Sequence, residues 1–164
     1  MSPLVVDPVM VAKAGDRLLH EDAVAALRNR LIPLATVVTP NLPEAEVLAG
    51  RPLNTADARR EAAKAILALG PRAVLIKGGH LPGAPIDLYY DGEFIELPGE
   101  RIVTTNTHGT GCTLASAIAA GLAKGLSPQE AVRAAKTYVT EAIRAAFPVG
   151  HGHGPVHHFY HWWG

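Results

Sequence analysis

The chain has 164 residues, of which 48% are hydrophobic and 18% are charged, and its 15 basic residues balance its 15 acidic ones. This length suffices for one domain with a full core, and the balanced charge excludes a global field that would attract nucleic acid or an anionic membrane. No apolar run approaches the ~20 residues of a membrane-spanning helix, and the N-terminus lacks a signal-peptide pattern. The single cysteine cannot form an internal disulfide. We therefore expect one cytoplasmic domain over residues 1–164.

The first half of the chain predicts short buried strands that alternate with helices. A short apolar run closed by Pro8 is typical of a buried parallel strand that presents Asp7 at its carboxyl end. Glycines and prolines mark the ends of the helices. In chain order we predict a strand over 4–7, a helix over 21–31, a strand over 36–38, a short helix from 41 to 49 ended by Gly50, a helix over 55–69 and a strand over 73–77.

The second half of the chain begins with a hairpin and continues with two helices. Asp91-Gly92 is a strong two-residue hairpin signal between strands over 87–90 and 93–97. A helix follows over 114–124, and Ser127 with Glu130 predicts a capping box for a last helix that ends near Phe147. Strands that alternate with helices favour an α/β sheet with helices on both faces, in which ligands bind at the carboxyl ends of the strands.

Residues 106–113, here called the glycine segment, have the sequence Asn-Thr-His-Gly-Thr-Gly-Cys-Thr and precede a predicted helix rich in small residues. Unpaired backbone N–H groups and the helix dipole both favour negative charge at such a place, so this segment predicts a phosphate site. The same dipole favours the thiolate form of Cys112, which is then either a reactive group or a small buried hydrophobe.

Four polar residues lie at the ends of predicted strands or at the start of a predicted helix, and we expect them at one edge of the sheet. Asn41 and Glu44, three residues apart, either hold a hydrated Mg²⁺ beside phosphates or form the capping box of a short helix. Asp7 is either a second carboxylate near metal or phosphate or an ordinary strand-end residue. Lys77 either places an ammonium against nucleotide phosphates or extends into water. The glycine segment is expected at the same edge.

The C-terminal residues 151–163 contain five of the eight histidines. A metal site is one interpretation, but the ligands lack an ordered spacing and the chain has a single cysteine. The composition, rich in glycine and aromatic residues, favours a tail that packs back on the body of the protein.

With these segments in place, the chain resembles the hydroxymethylpyrimidine and phosphomethylpyrimidine kinases of thiamine biosynthesis, in the ribokinase-like superfamily. The matches stand in the family's order and cover essentially the whole chain, so the histidine-rich tail belongs to the pattern. They lie in residues 7–10, 12–16, 39–45, 77–80, 106–113 and 152–159.

The resemblance implies a three-layer α/β/α sandwich with a mainly parallel central sheet. It also implies ATP-dependent phosphorylation of 4-amino-5-hydroxymethyl-2-methylpyrimidine and then of its monophosphate, with ATP and Mg²⁺ bound. Gly109, Thr110 and Gly111 would form the anion hole. Cys112 would be the base, at a position where the wider superfamily usually has aspartate.

Further roles are implied at the strand ends. Asn41 and Glu44 match the superfamily's Asn-x-x-Glu motif, which governs Mg²⁺ and phosphate placement, and Val9 matches a pyrimidine-contacting position. From their own positions at strand ends, rather than from the resemblance, Asp7 and Lys77 are also expected beside the bound nucleotide.

The chain departs from the family pattern at its start. Family members carry a substantial portion before the segment that matches residues 7–10, including a strand, a glycine-rich turn and a glutamine that binds the aminopyrimidine ring. The resemblance therefore implies that this chain is the C-terminal portion of the kinase. Apolar surfaces that the N-terminal portion would cover favour homo-oligomerisation or association with that portion.

Other functions stay open from the sequence alone. Pyridoxal or pyridoxine kinase shares the superfamily and acts on a related ring, while a nucleotide-binding fragment without catalysis would keep only the phosphate-binding elements. A redox sensor built on Cys112 lacks a second cysteine that would resolve the oxidised thiol.

Overall fold

Five strands and five α-helices make up most of the regular structure in the part of the chain that the computed structural model describes, residues 2–10, 18–79 and 84–163. In chain order they are β1 (Val5–Val6), α1 (Glu21–Ala26), β2 (Val37–Val38), α2 (Leu42–Ala49), α3 (Ala56–Leu67), β3 (Val74–Ile76), β4 (Ile86–Tyr90), β5 (Phe94–Pro98), α4 (Thr110–Ala123) and α5 (Pro128–Arg144).

The strands form one sheet in the order β1-β2-β3-β4-β5. The pairs β1–β2 and β2–β3 are parallel, while β3–β4 and β4–β5 are antiparallel. The predicted α/β class is confirmed, and so is the presence of the hairpin. Its loop has three residues, 91–93, rather than the predicted two, because Tyr90 pairs with Phe94. The sheet is therefore mixed, with parallel strands on one side and the hairpin on the other.

Local signals set several helix ends. In α2, the side chain of Asn41 accepts a hydrogen bond from the Glu44 N–H, the Glu44 carboxylate accepts one from the Asn41 N–H, and Gly50 ends the helix at φ +67°. Such left-handed backbone is inexpensive for glycine alone. The capping box predicted for α5 is likewise present between Ser127 and Glu130.

Two predicted helix bounds were wrong, and one predicted helix changes its type along its length. The helix predicted over 21–31 is α-helical only to Ala26, and a π-helical turn over Leu27–Leu31 and a 3₁₀ turn over Ile32–Leu34 follow it. The helix predicted to begin at Leu114 begins at Thr110, because Gly109 at the N-cap and Gly111 in the first turn obscured the helical pattern in the sequence. The last helix ends at Arg144 rather than near Phe147.

The chain divides into two compact units, Met1–Pro98 and Gly99–Gly164. The first contains the whole sheet and a core in which Ile32, Val38, Ala62, Ile66 and Val74 are fully buried. In the second unit α4 packs closely on α5, since a side chain at Gly121 would come within 3.0 Å of the Cβ atom of Ala131. No helix among the described residues is long and apolar enough to cross a membrane.

Candidate functional site

The carboxyl ends of the three parallel strands bring together a cluster in the first unit, here called the strand-edge cluster: Asp7, Thr39, Asn41, Glu44 and Lys77. The Nζ atom of Lys77 lies 2.8 Å from Oδ1 of Asp7, and the Thr39 hydroxyl donates to the same oxygen at 3.1 Å. Both charged side chains are largely buried, at 18% and 13% exposure. Lys77 therefore does not extend freely into water.

Asn41 joins this cluster through the backbone. The Lys77 N–H donates to the Pro40 carbonyl at 2.9 Å, and Asn41 and Lys77 form an isolated parallel bridge next to β2 and β3. The sheet thus continues for one residue beyond its strands at the point where the polar side chains gather. The prediction that Asp7, Asn41, Glu44 and Lys77 share one edge agrees with this placement, while their chemical roles stay predictions.

Glu44 is 2% exposed and ties the start of α2 to the segment after β1. Its Oε2 accepts from the Asn41 N–H at 2.9 Å, and its Oε1 accepts from the Met10 N–H at 3.1 Å. The capping-box interpretation of Asn41 and Glu44 is thus confirmed. Because a carboxylate oxygen accepts up to two hydrogen bonds, each oxygen of Glu44 keeps capacity for a water molecule.

Val9 stands between Asp7 and the anchored Met10 with φ +45°, and its side chain is 44% exposed. A β-branched residue with positive φ is strained, because its Cβ substituents crowd the backbone. Met10 beside it is 2% exposed. The buried Met10 and its bond to Glu44 hold the backbone in place, so the strain at Val9 is maintained and its side chain is presented outward.

The backbone after β3 approaches β4 closely. The Gly78 N–H donates to Oδ1 of the buried Asp87 at 2.7 Å, and a side chain at Gly78 would clash with the Ile86 carbonyl. Gly79 beside it has open space. Gly78 is therefore required for the path of the chain that follows Lys77. The predicted motif residue His80 and the motif over residues 12–16 lie outside the described residues.

The strand-edge cluster fits a hydrated Mg²⁺ better than a directly ligated ion. Among the described residues no group of three or more histidine, cysteine or acidic side chains is placed to hold a metal. Mg²⁺ usually keeps several waters and uses one or two carboxylates together with substrate phosphates. The hydrogen bonds that described residues make to the Asp7 carboxylate fall on Oδ1, so Oδ2 and the remaining capacity of Glu44 suit water-mediated contacts.

The glycine segment, in the second unit, forms the start of α4. Gly109 is the N-cap residue with φ +81° and makes no side-chain cap, and the Thr113 N–H donates to its carbonyl at 2.8 Å. The amides of Thr110, Gly111 and Cys112 therefore come before the hydrogen-bond ladder of the helix. The Thr110 N–H makes only a long bond, 3.4 Å, to the Thr107 carbonyl. This is the backbone geometry of an anion site.

Cys112 is exposed in the first turn of α4. The interpretation of this residue as a small buried hydrophobe is therefore wrong. An exposed thiol beside the first amides of the helix is accessible to a reacting group.

The C-terminal tail packs on the second unit, as predicted. The His157 N–H donates to the Ala142 carbonyl at 2.9 Å, and the His108 N–H donates to the Gly154 carbonyl at 3.0 Å. The Nε2 atom of His158 lies 3.0 Å from the Thr113 hydroxyl. The tail thus contacts both α5 and the glycine segment.

Sequence reasoning missed the partners of the predicted residues. Thr39 falls within the matched residues 39–45 but was given no role, and His158 was considered only as part of the tail. A polar residue at the end of each parallel strand was the available signal for Thr39. No local signal pairs His158 with Thr113, since 45 residues separate them.

The model of the family described as phosphomethylpyrimidine kinase matches residues 1–157. The hydroxymethylpyrimidine/phosphomethylpyrimidine kinase of Rhizobium meliloti is 57% identical over 97% of this chain and 62% of its own length. The thiamine biosynthesis bifunctional protein of Geobacter sulfurreducens is 54% identical over 94% of this chain and 32% of its own length.

Among solved structures, the pyridoxal kinase from Staphylococcus aureus in complex with AMP-PCP and pyridoxal superposes with a TM-score of 0.88 and 41% identity, over 98% of this chain and 59% of that one. The ribokinase-like fold expected from the sequence agrees with this superposition. The chain spans at most 62% of the length of these relatives.

Proposed function

The chain belongs to the phosphomethylpyrimidine kinase family, and on that premise we propose that it takes part in the ATP-dependent phosphorylation of 4-amino-5-hydroxymethyl-2-methylpyrimidine and of its monophosphate, in thiamine diphosphate synthesis. The observation that carries this proposal is the start of α4. Gly109 caps the helix in the left-handed conformation, and the amides of the next three residues precede the helical ladder beside an exposed thiol.

In the first transfer the substrate hydroxyl attacks the γ-phosphorus of ATP, a new O–P bond forms, and the bond from that phosphorus to the β,γ-bridging oxygen breaks to release ADP. Catalysis of this reaction consists mainly of positioning and charge stabilisation. The amides of Thr110 and Gly111 would donate to the transferring phosphoryl group. Cys112, as thiolate, would accept the hydroxyl proton on sulfur.

The strand-edge cluster would contribute the remaining charge. Lys77 is proposed to face the nucleotide phosphates with Asp7 as its partner, and Val9 to contact the aminopyrimidine ring. When bound, Mg²⁺ would neutralise charge on the ATP phosphates, with its waters held by Asn41, Glu44 and Asp7. In this set of roles we propose that residues 1–164 act as one domain.

The experiment that tests the function uses the 164-residue chain with ATP, MgCl₂ and the hydroxymethylpyrimidine, and resolves mono- and diphosphate products by mass spectrometry. Pyridoxal is supplied in parallel, because the superposition on pyridoxal kinase favours that ring as the second candidate substrate. Formation of both pyrimidine phosphates supports the proposal, and preference for pyridoxal would replace it with the second candidate. Folded protein that binds an ATP analogue and forms neither product would contradict catalysis by this chain.

The chain spans 62% of the length of the Rhizobium meliloti relative, so light scattering in solution accompanies the assay. We propose that the active form is a homo-oligomer or a complex with a polypeptide equivalent to the N-terminal portion of the family, and that it works in the cytoplasm. Activity that rises more steeply than protein concentration would support association, and activity proportional to concentration from a monomer would contradict it.

A further inference from the structure

His158 in the C-terminal tail is connected to the N-cap of α4 by two hydrogen bonds in series. Its Nε2 atom lies 3.0 Å from Oγ1 of Thr113, and that hydroxyl lies 2.8 Å from the carbonyl oxygen of Gly109. We propose that His158 is a positioning residue that, through Thr113, orients the first amides of α4 for phosphoryl transfer. This inference rests on the proposed kinase function and adds a residue to its machinery.

The direction of these bonds follows from the number of hydrogens available. A threonine hydroxyl has one hydrogen and two lone pairs, and a carbonyl oxygen only accepts. Because Thr113 gives its hydrogen to Gly109, the Thr113 oxygen accepts from His158. The Nε2 atom of His158 therefore carries a hydrogen, as it does both in the imidazolium and in one of the two neutral tautomers.

The effect on the anion site passes through one peptide plane. The Gly109 carbonyl accepts from both the N–H and the hydroxyl of Thr113, each at 2.8 Å. The peptide group is planar and trans, so fixing this carbonyl also fixes the Thr110 N–H, which points the opposite way. Gly109, at φ +81°, has the conformational freedom of glycine and needs such a restraint.

The tail that carries His158 is itself held in place within the second unit. The Tyr138 hydroxyl donates to the His158 carbonyl at 2.8 Å, and Val156 is 2% exposed. A side chain at Gly154 would clash with the side chain of the buried Asn106, and the bridge between His108 and Pro155 joins the tail to the glycine segment. The imidazole is therefore presented by an anchored backbone.

The test compares His158→Ala with His158→Gln, whose side-chain amide also donates, and Thr113→Val with Thr113→Ser, which keeps the hydroxyl. We expect His158→Ala and Thr113→Val each to lower kcat roughly tenfold, less than the 10²–10³ typical for loss of a whole oxyanion donor. KM for ATP and for the pyrimidine should change less than about twofold, because the restraint acts on the transferring group. The Gln and Ser variants should recover most of kcat.

The double variant His158→Ala with Thr113→Val tests whether His158 acts through Thr113 or whether the two residues affect kcat independently. If His158 acts through Thr113, the double variant is no slower than Thr113→Val alone. The proposal would be overturned if the fold-loss in kcat of the double variant equalled the product of the fold-losses of the two single variants. A wild-type kcat in His158→Ala would overturn it as well.

Two further measurements need no turnover, so they test the positioning even if the wild-type chain proves inactive and the proposed function fails. Nitrogen-15 NMR should show a hydrogen on Nε2 of His158, and exchange of the Thr113 amide, which donates to the Gly109 carbonyl, should be faster in His158→Ala than in wild type. A neutral His158 with its hydrogen on Nδ1, or unchanged exchange, would contradict the inference.

Discussion

Lys77 and Asp7 form an ion pair across the parallel side of the sheet, with 2.8 Å between Nζ and Oδ1, although they are 70 positions apart in the sequence. Each lies directly after a parallel strand, and both side chains are largely buried. The pair neutralises two charges that the fold places at one edge. It also keeps the Lys77 ammonium in a defined position.

Replacing Asp7 with Asn removes the negative partner and leaves the Lys77 ammonium in a poorly solvated position. We expect the free energy of unfolding to fall by about 1–3 kcal/mol, the usual cost of leaving a buried polar group unpaired. Urea denaturation measures this change. The matched control is Glu61→Gln, which breaks the pair with Lys64 where both side chains are about half exposed, and no shift of its midpoint is expected. Equal midpoints for Asp7→Asn and wild type would contradict the prediction.

The two consecutive glycines after Lys77 should differ sharply in their tolerance of a methyl group. Gly78→Ala places a Cβ against the Ile86 carbonyl, and because that neighbour is backbone in β4, the strand must move. We expect a loss of about 3 kcal/mol, the upper end for overpacking. Gly79→Ala enters open space and should stay within about 0.5 kcal/mol of wild type. Thermal unfolding of both variants measures these changes. Similar losses of stability in Gly78→Ala and Gly79→Ala would contradict the close approach of Gly78 to the Ile86 carbonyl.

Val9 is strained, and glycine in its place should relieve that strain. Because left-handed backbone costs a β-branched residue about 1–3 kcal/mol, we expect Val9→Gly to raise the free energy of unfolding by about 1 kcal/mol after the entropy cost of glycine. If the side chain contacts the aminopyrimidine, KM for that substrate rises in the same variant. Val103→Gly is the control, since Val103 is 98% exposed and has ordinary backbone, and it should be slightly destabilised. A loss of stability in Val9→Gly would show that the strain is unimportant.

Cys112→Ala should slow the first phosphoryl transfer much more than the second. The first needs a base for a neutral hydroxyl, and loss of a general base typically costs 10²–10⁴-fold in rate. The second uses a phosphate oxygen whose proton, with a pKa of about 6, is largely absent at neutral pH. We therefore expect kcat for the monophosphate to fall far less than kcat for the alcohol, each measured separately.

Ser116→Ala, an exposed change on the same helix, serves as the control for Cys112→Ala and should leave both rates unchanged. Equal losses in the two transfers would exclude the base role and favour a role of the Cys112 side chain in shaping the anion site. Wild-type rates in both would remove the thiol from the mechanism.

The raised pKa of the Tyr89 phenol predicts a loss of stability at alkaline pH. Burial, aided by the hydrogen bond from its hydroxyl to Asp91, raises the pKa of this phenol well above its usual 10.0. The folded protein therefore holds the proton more tightly than the unfolded chain, and the free energy of unfolding decreases as pH rises above about 10. In Tyr89→Phe this decrease should be shallower, although the variant is less stable at neutral pH by about 1 kcal/mol because the bond is lost. If the free energy of unfolding decreased equally steeply above pH 10 in Tyr89→Phe and in wild type, the prediction would be contradicted.

Local features of this fold were readable from residue order. The capping boxes at Asn41 and Ser127, the helix end at Gly50 and the turn at Asp91-Gly92 all depend on contacts within a few residues. The start of α4 was misjudged, because glycine propensity within the glycine segment argues against helix and packing on α5 overrides it. Likewise, the exposure of Cys112 depends on which face of α4 is covered, which periodicity alone does not determine.

The sequence by itself determined the strand and helix order, the capping residues and the placement of polar groups after parallel strands, because hydrogen bonds and steric limits between near neighbours specify these features. Only the tertiary structure decided that Lys77 pairs with Asp7, that Glu44 holds the backbone beside Val9 and that His158 contacts Thr113. Those contacts join residues 34 to 70 positions apart, so they depend on strand register and on where the tail packs. Register and docking are set by the burial of the whole core, which is a property of the folded chain rather than of any local segment.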